Sequence, residues 1–199
     1  MLRERVAQEA ALLLYSSQEK EYKQAKIRAA ENLRTRILPS NREVAEELDR
    51  IADQMEGTSK KRLLLRMRSE AQELMRALKD YDPRLIGSVW RGTARQNSDI
   101  DILAYSQDAL QVSSQLQNEG FMVTGSEWRS VTKEGKKESS LHIQIILPSG
   151  NEAEVVVRSL EYLGQSETCE IYGDLQKGLT PHELARILKQ YPLQKFVPS

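Results

Sequence analysis

The chain has 199 residues, 39% of them hydrophobic and 29% charged, which excludes wholesale disorder and allows one domain with a substantial appendage or two small domains. Lys+Arg (29) balance Asp+Glu (29), so a globally basic nucleic-acid coat is excluded, and 6% aromatic content leaves little for a broad base-stacking surface. The lone cysteine, Cys169, excludes an intrachain disulfide. With only two histidines, His142 and His182, far apart in sequence, a zinc site of Cys and His is excluded as well. No apolar run approaches the ~20 residues of a membrane span. Ala10–Leu14 sits among charges with no small-residue cleavage site after it. The expectation is a cytoplasmic protein with neither membrane segment nor signal peptide.

The first 80 residues have helical usage, rich in Arg, Lys, Glu, Ala and Leu, with Gly57 the only glycine. Val6, Ala10, Leu13 and Leu14 recur at helical spacing, and Lys20 to Leu33 continues or restarts a helix that Pro39 breaks. Ser40 or Asn41 offers the next N-cap, with Glu43 in the first turn. Val44, Leu48, Ile51 and Met55 form one apolar stripe. After Gly57-Thr58-Ser59, a second runs through Leu63, Leu64, Met67, Ala71, Leu74, Met75 and Leu78. Three or four helices are predicted. From Arg84 the period shortens: Leu85-Ile86 and Ile100–Tyr105 read as strands, and residues 107–119 as a helix ended by Gly120. Phe121–Thr132 and Ser140–Leu147 read as strands around a Gly135 turn. Glu152–Arg158 reads as a strand, and Thr180-Pro181-His182-Glu183 opens a closing helix that reaches about Tyr191. The predicted division is a helical region, 1–82, and a second domain, 83–199.

One stretch carries chemistry. A strand runs into Gly87-Ser88, where glycine permits close approach of a ligand and serine supplies a hydroxyl and an N–H, a turn able to cradle phosphate oxygens. A polar loop follows, then a strand with Asp99 and Asp101, which at i and i+2 share a face. Paired carboxylates repel unless a cation lies between them, and Mg²⁺ prefers carboxylate oxygens together with substrate phosphates. A phosphate-holding turn beside such a pair is the apparatus of phosphoryl or nucleotidyl transfer.

From Gly87 to Asp101 the sequence meets the pattern Gly-Ser-x-x-Arg-Gly-x-Ala-Arg-x-x-Ser-Asp-x-Asp. It thereby resembles the DNA polymerase β-like nucleotidyltransferase superfamily, most closely the minimal nucleotidyltransferases, over roughly residues 84–158. The resemblance implies an α/β (α+β) fold with a small mixed sheet, here preceded by the helical region. It implies Asp99 and Asp101 as metal ligands and a third carboxylate on a later strand. Glu154 fits that place, although the family's usual residue is Asp, and Glu152, on the same face, is the fallback. Gly87 and Ser88 are candidate triphosphate ligands. Arg91 and Arg95 are candidates too, with loop salt bridges as the other reading, and Ser98 could bind phosphate or brace its loop. His142 alternates with Ile143 and Ile145 and reads as structural.

The implied activity is transfer of a nucleoside monophosphate from an NTP, with ATP expected, to a hydroxyl, with Mg²⁺ (or Mn²⁺) and release of pyrophosphate. The acceptor is left open among protein, RNA and small molecule. Another class of reading stands beside it: a catalytically silent regulatory or binding module, antitoxin-like or an RNA-binding accessory using Lys60-Lys61-Arg62, Arg66 and Arg68. The N-terminal stripes need a covering surface, either each other and the sheet, a second copy of the chain or a partner protein.

Overall fold

The computed structural model describes residues 1–133, 136–165 and 167–198. The Gly135 turn lies outside them. Among the described residues no helix is long and apolar enough to cross a membrane. The chain divides into two compact units. One comprises Met1–Lys60, Thr168–Leu175 and the end of the chain from Val197; the other comprises Lys61–Glu167 and Gln176–Phe196.

The first unit holds helices α1 (Leu2–Tyr15), α2 (Tyr22–Asn32) and α3 (Asn41–Glu56), and α4 (Thr58–Ala77) begins in it. Val6, Ala10, Leu13 and Leu14 of α1 pack with Ala25 and Ala29 of α2 and with Val44, Leu48 and Ile51 of α3. The alanines of α2 let the helices approach closely, so small side chains complete a core that the larger ones on α1 and α3 begin. Ser40 is the N-cap of α3, and it forms a reciprocal capping box with Glu43. Met55, on the same predicted stripe as Ile51, is exposed. Buried Lys60 closes the unit by donating to the Asp49 carboxylate and to Asp53 Oδ1 at 2.8 Å.

The second unit is a five-stranded mixed sheet backed by helices. Its strands are β1 (Arg84–Ile86), β2 (Ile100–Tyr105), β3 (Met122–Lys133), β4 (Lys136–Ile146) and β5 (Glu152–Arg158), in the spatial order β1-β2-β5-β4-β3. Among the described residues β2 and β5 pair in parallel, and the other neighbouring strands pair antiparallel. Ile100, Ile102 and Ala104, Leu141, Ile143 and Ile145, and Ala153, Val155 and Val157 alternate into the core. There they meet Met67, Leu74 and Leu78 of α4, Val112 and Leu116 of α6 (Ala109–Asn118), and Leu184 and Ile187 of α7 (Pro181–Gln190). Composition changes near residue 83, but packing places most of α4 in the sheet's core. Asp108 caps α6, accepting from the Leu110 and Gln111 N–H groups, and Thr180 caps α7 with Pro181 in its first turn. The sheet's other face carries the intervening residues of β2, β4 and β5. Gly87-Ser88, expected as a turn, opens the five-residue helix α5 (Gly87–Arg91).

Candidate active site

The acidic residues come together through strand register. Asp101 of β2 lies between Ile86 of β1 and Glu154 of β5, and Glu154 in turn pairs with Gln144 of β4. Asp99 ends the loop that leads into β2. The strand alternation that buries Ile100 and Ile102 puts Asp101 on the opposite, open face, with Glu154 beside it.

Gly87 abuts this pair. Its φ of +69° suits glycine, and a Cβ there would come within 2.0 Å of Asp101 Oδ2. The backbone that starts α5 therefore lies directly against the central carboxylate. Ser88 is partly buried in the first turn of α5, and its carbonyl accepts from the Thr93 N–H at 3.0 Å. The loop before β2 is closed by Ser98, whose Oγ accepts from the Arg95 N–H at 3.1 Å while its own N–H donates to the Arg95 carbonyl at 2.9 Å. Ser98 thus braces the loop that presents Asp99. The Arg95 side chain is partly exposed on that loop.

Electrostatics mark the same residues. Loss of solvent, then the charges of Asp99 and Glu154, pushes the Asp101 carboxyl up to about 8. Asp99 is exposed over much of its surface, so crowding by protein atoms desolvates its carboxyl only in part. That crowding is nevertheless the leading cause of its upward shift, with Glu154 and Glu152 adding to it and its own backbone N–H opposing. Glu152 acts on Asp99 and does not figure among the causes for Asp101, whereas Glu154 acts on both.

Glu154 is not drawn into a single ligand set with the aspartates. Its Oε1 lies 3.3 Å from Arg129 Nη1 and 3.1 Å from His142 Nδ1, and Arg129 also pairs with Glu127. His142 Nε2 in turn lies 3.1 Å from Ser140 Oγ. Among the described residues no group of three or more His, Cys, Asp and Glu stands ready to hold a metal ion. The donor set nonetheless suits a divalent cation: like-charged oxygens crowd a half-buried carboxyl, and only added positive charge lets them ionise together.

Arg129, which the sequence reading does not single out, and His142, which it reads as structural, are both neighbours of Glu154. A β-bulge between Val123 and Gly125 shifts the β3–β4 register by one residue, so that Arg129 lies opposite Ser140, on the face of His142 and Gln144. Without that extra residue Arg129 would fall on the core face. The bulge left no legible signal apart from Gly125.

Arg91, a candidate triphosphate ligand with a loop contact as its other reading, is tied to the chain around it. It is buried, its Nη1 donates to the Phe196 carbonyl at 2.8 Å, and its guanidinium lies 4.1 Å from the centre of the Trp90 ring. These contacts make it a bracing residue.

The nucleotidyltransferase domain family model matches residues 64–163, half of the chain, and the chain belongs to that family. No curated protein matches it. Similar solved structures include Cid1, described as having RNA terminal uridylyl transferase activity (18% identity, TM-score 0.35), where the match covers 48% of this chain and 30% of that one. A cytoplasmic RNA terminal U-transferase shows 22% identity and a TM-score of 0.30 over 45% of this chain and 26% of that one. Cid1 in complex with the UTP analog UMPNPP shows 22% identity and a TM-score of 0.33, covering 50% and 31% respectively. The chain thus spans about a third or less of those proteins.

Proposed function

We propose that this protein transfers a nucleoside monophosphate from an NTP to a hydroxyl acceptor and releases pyrophosphate. The carrying observation is the contact of side-chain-free Gly87 with Asp101, the residue that strand register places beside Glu154. In this reading Asp99 and Asp101 hold the divalent metal, Mg²⁺ or Mn²⁺, and Glu154 completes its ligands. The metal supplies positive charge to the reacting phosphate and to the oxygens that attack and leave it. Gly87 and Ser88 receive the triphosphate through backbone N–H and hydroxyl, and ATP is the NTP we propose first. Ser98 fixes the Arg95 loop, which leaves the Arg95 guanidinium to reach phosphate oxygens. Glu154 orients the acceptor hydroxyl and takes up its proton, once its carboxylate is released from Arg129.

The hold of Arg129 and His142 on Glu154 favours a second reading, a module that binds nucleotide without turning it over. A labelled-NTP assay with each of the four bases, Mg²⁺ or Mn²⁺ and cell lysate as the acceptor pool separates the two. Label transferred by the parent and not by Asp101→Asn supports the transferase. Metal-dependent NTP binding with no transferred label supports the silent module.

A further inference from the structure

Arg68 of α4 is fully buried, and among the described residues no carboxylate pairs with it. All its bonds go to backbone carbonyls. Nε donates to Val89 O at 3.1 Å and Nη2 to Trp90 O at 3.0 Å. Nη1 donates to Pro192 O at 2.7 Å, and Nη2 also to Gln194 O at 2.8 Å. Burial draws the guanidinium down to about 10. A buried charge is costly unless fully hydrogen-bonded, so its retention here points to a task that an apolar side chain could not perform.

That task is visible in which carbonyls it gathers. Val89 and Trp90 belong to the last turn of α5, where helix carbonyls run out of regular i+4 partners and the Val89 carbonyl also receives the N–H of the C-cap residue Gly92 at 3.4 Å. Pro192 and Gln194 belong to the segment that follows α7, which opens with a turn closed by the Gln194 N–H on the Tyr191 carbonyl at 2.9 Å. The same joint is fastened twice more. The Phe196 N–H donates to Arg91 O at 2.9 Å while Arg91 Nη1 donates back to Phe196 O. Gly92, at φ +76°, lies so close that a Cβ would come within 2.7 Å of Gln194 O and 3.1 Å of Lys195 Cα. The C-terminal segment therefore wraps one end of α5. The other end is Gly87-Ser88, against Asp101, only about 7 Å away at 1.5 Å per helical residue. A helix this short cannot tilt at one end without displacing the other.

We propose that Arg68 is a positioning residue for the nucleotide site: it clasps Pro192–Phe196 onto α5 and so sets Gly87 and Ser88 against Asp101. The inference rests on the transferase reading for its nucleotide and on geometry for the clasp. It also gives the Arg91-Gly92 pair of the sequence motif a purpose apart from phosphate binding.

The test uses the full chain in three variants: Gly92→Ala, which forces the segment off; Arg68→Lys, which keeps the charge but cannot reach four carbonyls; and Leu116→Ala, a core truncation on α6 chosen as a stability control. Amide hydrogen exchange over residues 88–92, without ligand, and Mn²⁺-dependent affinity for each of the four NTPs are measured. Gly92→Ala and Arg68→Lys should speed exchange over 88–92 by about tenfold and weaken NTP binding by about tenfold or more, as a misplacement near 1 Å would do. Leu116→Ala should lower the melting temperature with neither effect. Unchanged exchange over 88–92 in both clasp variants overturns the proposal. So does an equal loss of NTP affinity in Leu116→Ala. If the parent binds no NTP, the transferase reading fails, and the exchange result still decides whether the clasp positions α5.

Discussion

Gly87 and Asp101 lie so close that a methyl group on the glycine would come within 2.0 Å of the aspartate Oδ2. Both residues stand in the sequence motif, fourteen positions apart, but the contact comes from strand pairing, which sets Ile86 directly beside Asp101. Gly87→Ala meets two obstacles, the positive φ and the carboxylate, and neither neighbour can yield without moving the site. The expected outcome is a folded protein whose transfer rate falls by about a hundredfold or more, measured with labelled NTP.

The third carboxylate can be assigned by comparing two glutamates on one strand. Glu154 lies in register with Asp101 and raises both aspartates, whereas Glu152 is exposed and acts on Asp99 alone. Glu154→Gln should lower transfer by about a hundredfold with little change in melting temperature, and Glu152→Gln should be mild. The reverse ranking in the same assay would move the site two residues along β5.

In the proposed site Arg129 would compete with an added cation for Glu154. The Arg129 side chain is about half exposed and Glu154 partly so, which keeps the interaction weak, and removing it should shift a metal titration modestly. Arg129→Ala should bind Mn²⁺ about two- to fivefold more tightly in the presence of NTP, read by calorimetry. Looser binding would mean that Arg129 holds Glu154 in place for the metal instead of withholding it.

In the helical unit, Arg3 and then the Ser40 N–H hold the Glu43 carboxyl down at about 2. A depressed carboxyl contributes stability that is present above its unfolded value near 4.5 and is lost as pH falls towards 2. Because the side chain is partly exposed, solvent screening keeps the effect small. Glu43→Gln should melt lower than the parent at neutral pH by about 1–3 °C, and the gap should close between about pH 4.5 and 2. A gap that stays constant across that window would assign the loss to packing.

Much of this was legible in local pattern. The capping boxes at Ser40 and Thr180, the alternation through Ile100–Tyr105 and the spacing from Gly87 to Asp101 each depend on residues a few positions apart, and each is read directly from side-chain chemistry. What stayed hidden depends on distant chain. Arg91 has the chemistry of a phosphate ligand, but its partner carbonyl lies 105 residues away. Arg68 looked like part of a basic helix face and is instead wholly buried, because the segment after α7 returns to cover it. Arg129 reaches Glu154 only because a one-residue bulge flips the strand's faces.

The most direct test of the transferase site is the thermal shift produced by Mn²⁺ and a non-hydrolysable NTP analogue, separately and together, in the parent and in Asp101→Asn. If Asp99, Asp101 and Glu154 receive metal and nucleotide jointly, the parent should show a shift with both that exceeds the sum of the separate shifts, about 2–4 °C for each kcal/mol of linkage. Asp101→Asn should lose that excess. An excess in Asp101→Asn equal to the parent's would contradict the site.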